Sequence, residues 1–591
     1  DTNRTGTSKG IAGVLVNTND AGDKVINYGK IEEDTSSVTN LRAYGAVVNK
    51  GTFINYGDIK LNDSLMMDKN KNITSADMKK VNVGILANDH SERARDNSFI
   101  ENYADITIGK DANSKQNVGS WAIYGYNIKT GAKADGTDVT FKINRNSYGI
   151  YSGDGNVDIQ KGTVLKVGND TVLGHVPHDQ VVDGVNYPIR RQTQYSDADD
   201  LLSGLDTPRE RDSAIGVYID SNQRLSREAR DIKVNADMDI DRYSYGVVLA
   251  EKNGGADTTV TIGSATQSPV IKLASNKVAG GQVKSTKPHE NPNLSKEVEE
   301  QGNAVYYYSA DNRSRATSHA NVTMNGDYNT AYFTKGQVVN YGTIDLRSQY
   351  DLELRNNDPT HEPVGYGNVG IISENTDENY ASINRGTITT GLSDAQNMMY
   401  SVGMGAGRNY YTINNKGESV YDRTEGQGYV VNEGEIVVKE DAGIGMLATG
   451  RGSKAVNRGT ITLVGNNAIG MYIDREAIGI NEKTGVIKGN AQNLKGIVAV
   501  NGGYVKNYGT ITVEGAGSTG IITDSSKFTL DANGNPVAYI TDTSSPEYKA
   551  GVTAGQANGH GHADLYGGTE TSIEEGTSGN PKTTGVGTTI T

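Results

Sequence analysis

The 591-residue chain contains no cysteine, and several other residue types are scarce. Without cysteine no disulfide scaffold can form, and a long chain can cross a membrane unfolded without premature cross-links. Phenylalanine occurs 5 times, tryptophan once and proline 11 times, whereas tyrosine occurs 33 times. This aromatic content favours exposed ladders and hydrated binding surfaces over a large globular core.

The chain also lacks an excess of positive charge and long apolar runs. Its formal net charge is −14 at pH 7, so phosphate backbones would repel it and we expect no nucleic-acid partner. No run of about 18 apolar residues occurs, so no membrane-spanning helix is predicted. No signal peptide opens the sequence, and we expect the chain to be a piece of a longer protein.

Glycine is abundant, at 73 residues, and it recurs in two signatures. The clearest stretch is Val431–Thr523, where an asparagine precedes a glycine, as in Asn457-Arg458-Gly459-Thr460-Ile461. The second signature is glycine followed by methionine or isoleucine, as at Gly470-Met471. Both signatures return every 24 to 26 residues and stay in step. Short β-segments repeated at this period predict an all-β fold made of the coils of a β-solenoid.

Each residue of the first signature has an expected role. The asparagines are predicted to stack at one corner, where each amide bonds the coils above and below. The glycines are predicted to make a tight turn or a close backbone approach. The positions are Asn27, Gly29, Asn55, Gly57, Asn340, Gly342, Asn384, Gly386, Asn432, Gly434, Asn457, Gly459, Asn507 and Gly509.

Long polar segments interrupt the repeat and divide the chain. We predict coils at 1–170 with an insertion at 62–80, at 214–274, and at 303–523 with insertions at 347–366 and 410–428. Further insertions are predicted at 171–213, 275–302 and 524–570, with the start of another coil at 571–591.

The second signature leaves one question open. The stretch Thr510-Ile511-Thr512-Val513 alternates as a strand with one buried face should. After the second-signature glycines both parities are apolar, as in Met471 and Tyr472 or Ile497 and Val498. One of these two sets must face outward or be covered by an insertion.

Asn-Tyr-Gly-Thr-Ile alternating with Ala-Ile-Gly-Met-Tyr resembles the passenger repeats of large monomeric autotransporter adhesins, most of all the fusobacterial outer-membrane group. The resemblance covers most of 10–525 outside the insertions. It implies a right-handed parallel β-helix, secreted through its own C-terminal β-barrel and displayed at the cell surface. It also implies adhesion to surface proteins or glycans of other bacteria or host cells. It assigns no binding residues.

The insertion 171–213 is the predicted recognition surface, because long loops on a rigid scaffold often carry binding residues. Tyr187, Arg190, Arg191 and Tyr195 are of the types enriched at binding hot spots. The alternative is a solvated spacer.

The tyrosine of the Asn-Tyr-Gly triplets, at Tyr28, Tyr56, Tyr341 and Tyr508, has two interpretations. It forms either a sugar-stacking stripe or a structural ladder at a turn. Arg385, Glu433 and Arg458 occupy the same position elsewhere, which favours the ladder.

No metal, cofactor or catalytic site is predicted. His175 with His178 and His560 with His562 lack further ligands at suitable spacing, and Asp531 opens a calcium-like loop without its closing glutamate. The acidic cluster from Asp197 to Asp200 lies in a polar segment. We therefore predict an adhesin and not an enzyme. The alternatives are a carbohydrate-active β-helix lyase or hydrolase, and a structural surface array without a specific ligand.

Overall fold

The computed structural model describes the chain with gaps, in two compact units. The first comprises Asp1–Thr330 with Asn357–Val364, and the second Ala331–Asn356 with Gly365–Thr591. The described residues are 10–20, 22–33, 42–61, 64–65, 82–87, 97–108, 117–118, 121–143, 147–153, 155–168, 180–182, 185–187, 214–220, 229–241, 244–250, 256–274, 304–357, 363, 365–375, 377–396, 399–407, 410–413, 419–422, 427–500, 503–523, 527–530, 536–539, 552–553, 569–571 and 589–590.

Each unit is a stack of coils, and each coil contributes one short strand to each of three parallel sheets, here called faces A, B and C. Neighbouring strands in a face come from successive coils, so every connection is a crossover, and such crossovers are right-handed. The predicted fold class, a right-handed parallel β-helix, is confirmed.

The first unit is described over eight coils. Its face-A strands are Gly10–Asn17, the first part of Arg42–Asn55, Val83–Ala87, Trp121–Gly125, Tyr148–Ser152, Ile215–Ile219, Tyr245–Leu249 and Val305–Ser309. Its face-B strands are Lys24–Asn27, the last part of Arg42–Asn55, Ser98–Asn102, Asn127–Thr130, Val157–Ile159, Arg230–Val234, Thr258–Ile262 and Ser314–Ser318. Its face-C strands are Ile31–Glu32, Ile59–Leu61, Ile106–Ile108, Val139–Ile143, Thr163–Val167, Asp237–Ile240, Val270–Leu273 and Asn321–Met324.

The second unit is described over seven coils. Its face-A strands are Thr330–Thr334, Val369–Ser373, Val402–Ala406, Ile444–Thr449, Ile469–Asp474, Lys495–Val500 and Thr519–Thr523. Its face-B strands are Gln337–Asn340, Ser382–Asn384, Tyr429–Asn432, Lys454–Asn457, Ile478–Asn481, Tyr504–Asn507 and Thr569–Thr571. Its face-C strands are Thr343–Ser348, Thr387–Thr389, Glu435–Val438, Thr460–Leu463, Val486–Gly489, Thr510–Val513 and Thr589–Ile590.

The remaining elements lie in the excursions between coil strands. They are the helix Gln349–Asn357, the 3₁₀ helix Glu378–Tyr380, and antiparallel pairs of Ser64–Leu65 with Asn117–Val118, Gln180–Val182 with Val185–Tyr187, Tyr410–Ile413 with Ser419–Asp422, and Lys527–Leu530 with Pro536–Tyr539 and Val552–Thr553.

The asparagines of the first signature form a buried ladder at the corner between faces B and C. In the second unit the Nδ2 of Asn432 donates to the Oδ1 of Asn457 at 2.9 Å, and the Nδ2 of Asn457 donates to the Oδ1 of Asn481 at 2.9 Å. The other links are Asn27 to Asn55, Asn55 to Asn102, Asn340 to Asn384, Asn384 to Asn432, and Asn481 to Asn507. Each ladder amide thus holds one coil in register with the next.

The second-signature glycine fills a position in face A that we call the glycine slot. The face-A ladders skip this residue, so Val402 pairs with Ile444 and Met404 with Met446. A Cβ at Gly403 would lie 2.6 Å from the carbonyl oxygen of Gly445 and 2.9 Å from the Cγ2 of Ile436. An added side chain at Gly403 would therefore collide with the next strand of the face and with the core.

Candidate functional site

Face A of the first unit carries two columns of outward-pointing side chains. From the second coil on, the residue after the glycine slot, such as Ile85 or Ile150, is fully buried in the core. The residue two positions after the slot points outward because strand side chains alternate. The ladder is interrupted at the slot, and the residue before it lies on that same outer side, as Val83 does against Leu86. We call these the outer columns. Before the slot they are Ala12, Tyr44, Val83, Trp121, Tyr148, Ile215, Tyr245 and Val305; after it they are Leu15, Val47, Leu86, Tyr124, Tyr151, Tyr218, Val248 and Tyr308.

Five aromatic residues in the outer columns form one continuous contact group, here called the aromatic layer: Trp121, Tyr124, Tyr148, Tyr151 and Tyr218. The centroid of the Trp121 ring lies 5.0 Å from that of Tyr124 and 5.3 Å from that of Tyr151, with both pairs stacked. The Tyr124 and Tyr151 rings stack at 4.7 Å, and Tyr218 lies 4.8 Å from Tyr151. Tyr148 meets both Trp121 and Tyr218 edge to face. The layer spans three successive coils.

Burial raises the pKa of three phenol groups in the layer. Burial raises the pKa of Tyr124 to about 12 and raises that of Tyr148 further. The Tyr151 hydroxyl donates a 2.6 Å hydrogen bond to the Oδ2 of Asp220, and burial and this carboxylate both raise the pKa of Tyr151. At neutral pH the layer therefore presents uncharged rings.

Exposure of the outer columns changes from coil to coil. Leu15 is 63% exposed in the first coil, and Leu86, Trp121 and Tyr124 are half-buried. Tyr308, in the eighth coil, is only 3% exposed. Among the described strands, only the first coil thus exposes its outer-column residues, and buried positions such as Val47 and Val83 lie between it and the aromatic layer.

In the sequence, this surface is indicated by apolar residues at the two consecutive positions after the slot. That pattern does not show which of the two sets faces outward. An aromatic residue two positions after the slot in three successive coils, at Tyr124, Tyr151 and Tyr218, marks the layer, but the interpretation of the sequence did not use it.

The described strand that follows the predicted recognition insertion carries Tyr218 of this layer. The described chain leaves face C at Gly168 and returns at Ala214, directly before the strand Ile215–Ile219 that carries Tyr218. Tyr187 is the last residue of the strand Val185–Tyr187. Arg190, Arg191 and Tyr195 lie outside the described residues, as do the histidines and acidic residues considered as metal ligands or catalytic groups: His175, His178, His560, His562, Asp531 and Asp197 to Asp200.

The corner tyrosines of the first unit stack on one another. The rings of Tyr28 and Tyr56 lie 5.3 Å apart at an interplanar angle of 10°, and those of Tyr56 and Tyr103 lie 5.3 Å apart at 19°. Both faces of Tyr56 are therefore covered, which favours the structural ladder over a stripe of sugar-stacking platforms.

In the second unit the same corner position alternates in charge. The Arg385 Nε donates to Glu433 at 2.7 Å, and Arg458 bonds both Glu433 and Glu482. Hydrogen bonding from Arg385 is the main cause that lowers the pKa of Glu433. Tyr341 opens this column, and the guanidinium of Arg385 lies over its ring. Tyr508 follows Asn507 at the same corner. Exposed pairs of this kind add little stability singly.

Among the described residues, no three histidine, aspartate or glutamate side chains are grouped so as to hold a metal ion. In the same part of the chain no helix is long and apolar enough to span a membrane.

Two buried acids stand out in the second unit, at the corner between faces A and B. Asp474 is 7% exposed and Glu476 is 6% exposed. The Asp474 Oδ2 lies 3.5 Å from the Nε of Arg475, while its Oδ1 makes no hydrogen bond. Burial raises the pKa of Asp474. Both acids are covered by the corner and so do not line an open substrate cleft.

Asp474→Asn is expected to stabilise the second unit at pH 7 by on the order of 1 kcal/mol, because it removes a buried charge without changing shape. The folded state favours the protonated acid, so the wild type loses stability as pH rises above the usual aspartate range, whereas the variant does not. Urea unfolding at pH 7 and pH 4 measures this. The gain in the free energy of unfolding from Asp474→Asn should be smaller at pH 4 than at pH 7. Glu514→Gln, at an exposed position, is the control variant. An equal or larger gain at pH 4 would contradict the assignment.

Comparison with known proteins adds one family. The model described as BigA third pectate lyase-like domain matches residues 124–485, which is more than half of the chain. Neither the curated proteins nor the solved structures give a match.

Proposed function

This chain belongs to the BigA third pectate lyase-like domain family, and from that premise we propose that it is a cell-surface adhesin. It is the secreted passenger of an autotransporter, exposed outside the outer membrane. It attaches to surface proteins or glycans of other bacteria or host cells. The stacked coils are the scaffold, and the outer columns of face A are the contact surface.

The observation that carries this proposal is the aromatic layer on the outside of face A. Its five rings include the single tryptophan of the chain, and tyrosine and tryptophan dominate binding hot spots. Trp121, Tyr124 and Tyr151 keep part of their surface accessible, while Tyr148 and Tyr218 are buried. The resemblance of the repeats to adhesin passengers supports the same function.

The proposal treats the chain as a binding protein and not as an enzyme. The buried acids Asp474 and Glu476 do not support catalysis, because they lie under the corner of the coil. Incubation with a glycan panel, followed by assay of released reducing ends, tests this part. Turnover by the protein would favour a β-helix lyase or hydrolase instead.

Tyr124→Ala combined with Tyr151→Ala is expected to weaken binding to partner cells by at least about tenfold, since each ring packs at the centre of the layer. Saturable binding of the soluble protein to a panel of bacteria and host glycoproteins is the measurement.

The control is Tyr472→Ala, which changes the equivalent outer-column residue of the second unit and should bind as the wild type does. Circular dichroism verifies that the variants fold. Deletion of 171–213 tests separately whether the insertion takes part. If the double variant binds as the wild type does, face A is not the contact surface. If the wild type shows no saturable binding, a structural array is favoured.

A further inference from the structure

The corner tyrosines of the first unit, Tyr28, Tyr56 and Tyr103, lie one above another in three successive coils. The backbone N–H of Tyr56 donates to the carbonyl oxygen of Asn27 at 2.8 Å, and that of Tyr103 donates to the carbonyl oxygen of Asn55 at 2.8 Å. Together with the asparagine ladder, these bonds hold the coils at a strand spacing of about 4.8 Å. The rings at this corner therefore stay in contact as long as the coils are stacked.

The three rings differ in their access to solvent and in their freedom to turn. Tyr28 is 75% exposed and Tyr56 is 38% exposed, while Tyr103 is half-buried. The Tyr103 hydroxyl donates a 2.7 Å hydrogen bond to the Oε2 of Glu101, and burial, followed by this bond, raises the pKa of Tyr103. Among the described residues Tyr28 has a stacked ring on one face only, so its ring can turn against that of Tyr56.

Two exposed phenols in contact are a substrate for oxidative coupling. A one-electron oxidant takes an electron from each ring, and each hydroxyl loses its proton to water. The two phenoxyl radicals then form a carbon–carbon bond between one Cε atom of each ring, and the hydrogen on each of these carbons moves to the phenol oxygen. In total two electrons pass to the oxidant and two protons to water, and the product is dityrosine. The rings of Tyr28 and Tyr56, with centroids 5.3 Å apart and an interplanar angle of 10°, meet the requirement for contact.

We propose that Tyr28 and Tyr56 are a site of oxidative modification, at which a one-electron oxidant joins the first two described coils through dityrosine. The cross-link supplies the covalent tie that a chain without cysteine cannot make as a disulfide. It closes a loop of the chain between the two coils, and so stabilises the first coil by restricting the unfolded state, as a disulfide does. The site is independent of the adhesin function.

Brief illumination of the soluble protein, at low concentration, with a ruthenium trisbipyridine photosensitiser and persulfate tests the proposal. Trypsin separates the three tyrosines into the peptides 25–30, 51–60 and 96–110. The wild type should give dityrosine fluorescence and a joined pair of the first two peptides, lighter than their sum by two hydrogen atoms. Mass spectrometry identifies the pair.

Three variants that keep the aromatic ring assign the cross-link. Tyr28→Phe removes one phenol, so the joined pair of 25–30 with 51–60 should disappear. Tyr103→Phe should retain this pair. The matched control is Tyr341→Phe: Tyr341 also follows a ladder asparagine and is 40% exposed, but its neighbour in the next coil is Arg385, so this variant should give the wild-type yield.

Three results would overturn the proposal. The first is a wild-type protein that gives no joined pair, or only cross-links between molecules, seen as dimers on a denaturing gel. The second is a joined pair of 51–60 with 96–110 in place of the expected one. The third is persistence of the expected pair in Tyr28→Phe.

Discussion

Asn457→Ala is expected to lower the free energy of unfolding of the second unit by about 2–4 kcal/mol. The Asn457 side chain is fully buried. Its Oδ1 accepts from the Nδ2 of Asn432 at 2.9 Å, and its Nδ2 donates to the Oδ1 of Asn481 at 2.9 Å. Its removal leaves a buried donor and a buried acceptor without their partners, and each costs about 1–3 kcal/mol. Urea unfolding followed by far-ultraviolet circular dichroism measures the loss.

Two controls separate the ladder from ordinary side-chain truncation. Asn507 accepts from Asn481 but its own Nδ2 has no hydrogen-bond partner, so Asn507→Ala should cost about half as much. Asn466 is exposed and caps a turn by accepting from the backbone of Gln492, so Asn466→Ala should cost less than about 1 kcal/mol. Equal losses for all three variants would contradict the ladder.

Gly403→Val is expected to destabilise the second unit by about 3 kcal/mol and to disturb its stacking. The new Cβ would lie 2.6 Å from the carbonyl oxygen of Gly445 and 2.9 Å from the Cγ2 of Ile436, and both are in the next coil or the core. Overpacking of this kind forces the backbone to move. Thermal unfolding and limited proteolysis of the second unit report the effect.

The matched control lies two residues away in the same strand. At Gly405 the nearest atom to an added Cβ is the carbonyl oxygen of Ile371, at 3.8 Å, so Gly405→Val should cost less than about 1 kcal/mol. Ala122 and Tyr306 occupy the equivalent position in two coils of the first unit, so the slot does not require glycine in every coil, and the expected loss applies to Gly403 with its own neighbours Gly445 and Ile436. A loss at Gly405 as large as that at Gly403 would show that the slot is not special.

The sequence predicts the fold wherever both signatures are present. The Asn-x-Gly triplet predicts a turn and an asparagine ladder, and its period predicts the length of a coil. Asn457, Asn481 and Asn507 are spaced by one coil each, and the structure stacks them by hydrogen bonds. The residues that form the turn also stack between successive coils, so the repeat is visible in the sequence.

The signatures fade in the first unit for a physical reason. From the fourth to the eighth coil the ladder position holds Thr130, Ile159, Val234, Ile262 and Ser318 in place of asparagine. Apolar and hydroxyl side chains stack at this position without an amide ladder, so the coils continue although they lack the asparagine of the first signature. The asparagine signature is therefore absent from the sequence of these coils.

The candidate surface was harder to predict than the fold. Strand alternation shows that one apolar set after the glycine must point outward, but not which one. The alternation is interrupted at the glycine slot in every strand of the ladder, so that Ile123 is buried in the core while Trp121 and Tyr124 share the outer side. Only coordinates bring Trp121 and Tyr151, from different coils, into ring contact.

The most direct test of the stacked-coil architecture is a distance measurement between spin labels along one outward column of face C. Thr389, Val437, Thr462, Lys488 and Thr512 are successive partners in that column, and the chain has no native cysteine to interfere with labelling. Labels at Thr389→Cys and Thr512→Cys should lie about 19 Å apart in backbone separation, which is four strand spacings, and labels at Val437→Cys and Thr512→Cys about 14 Å. Separations beyond about 30 Å, or the same separation for both pairs, would contradict it.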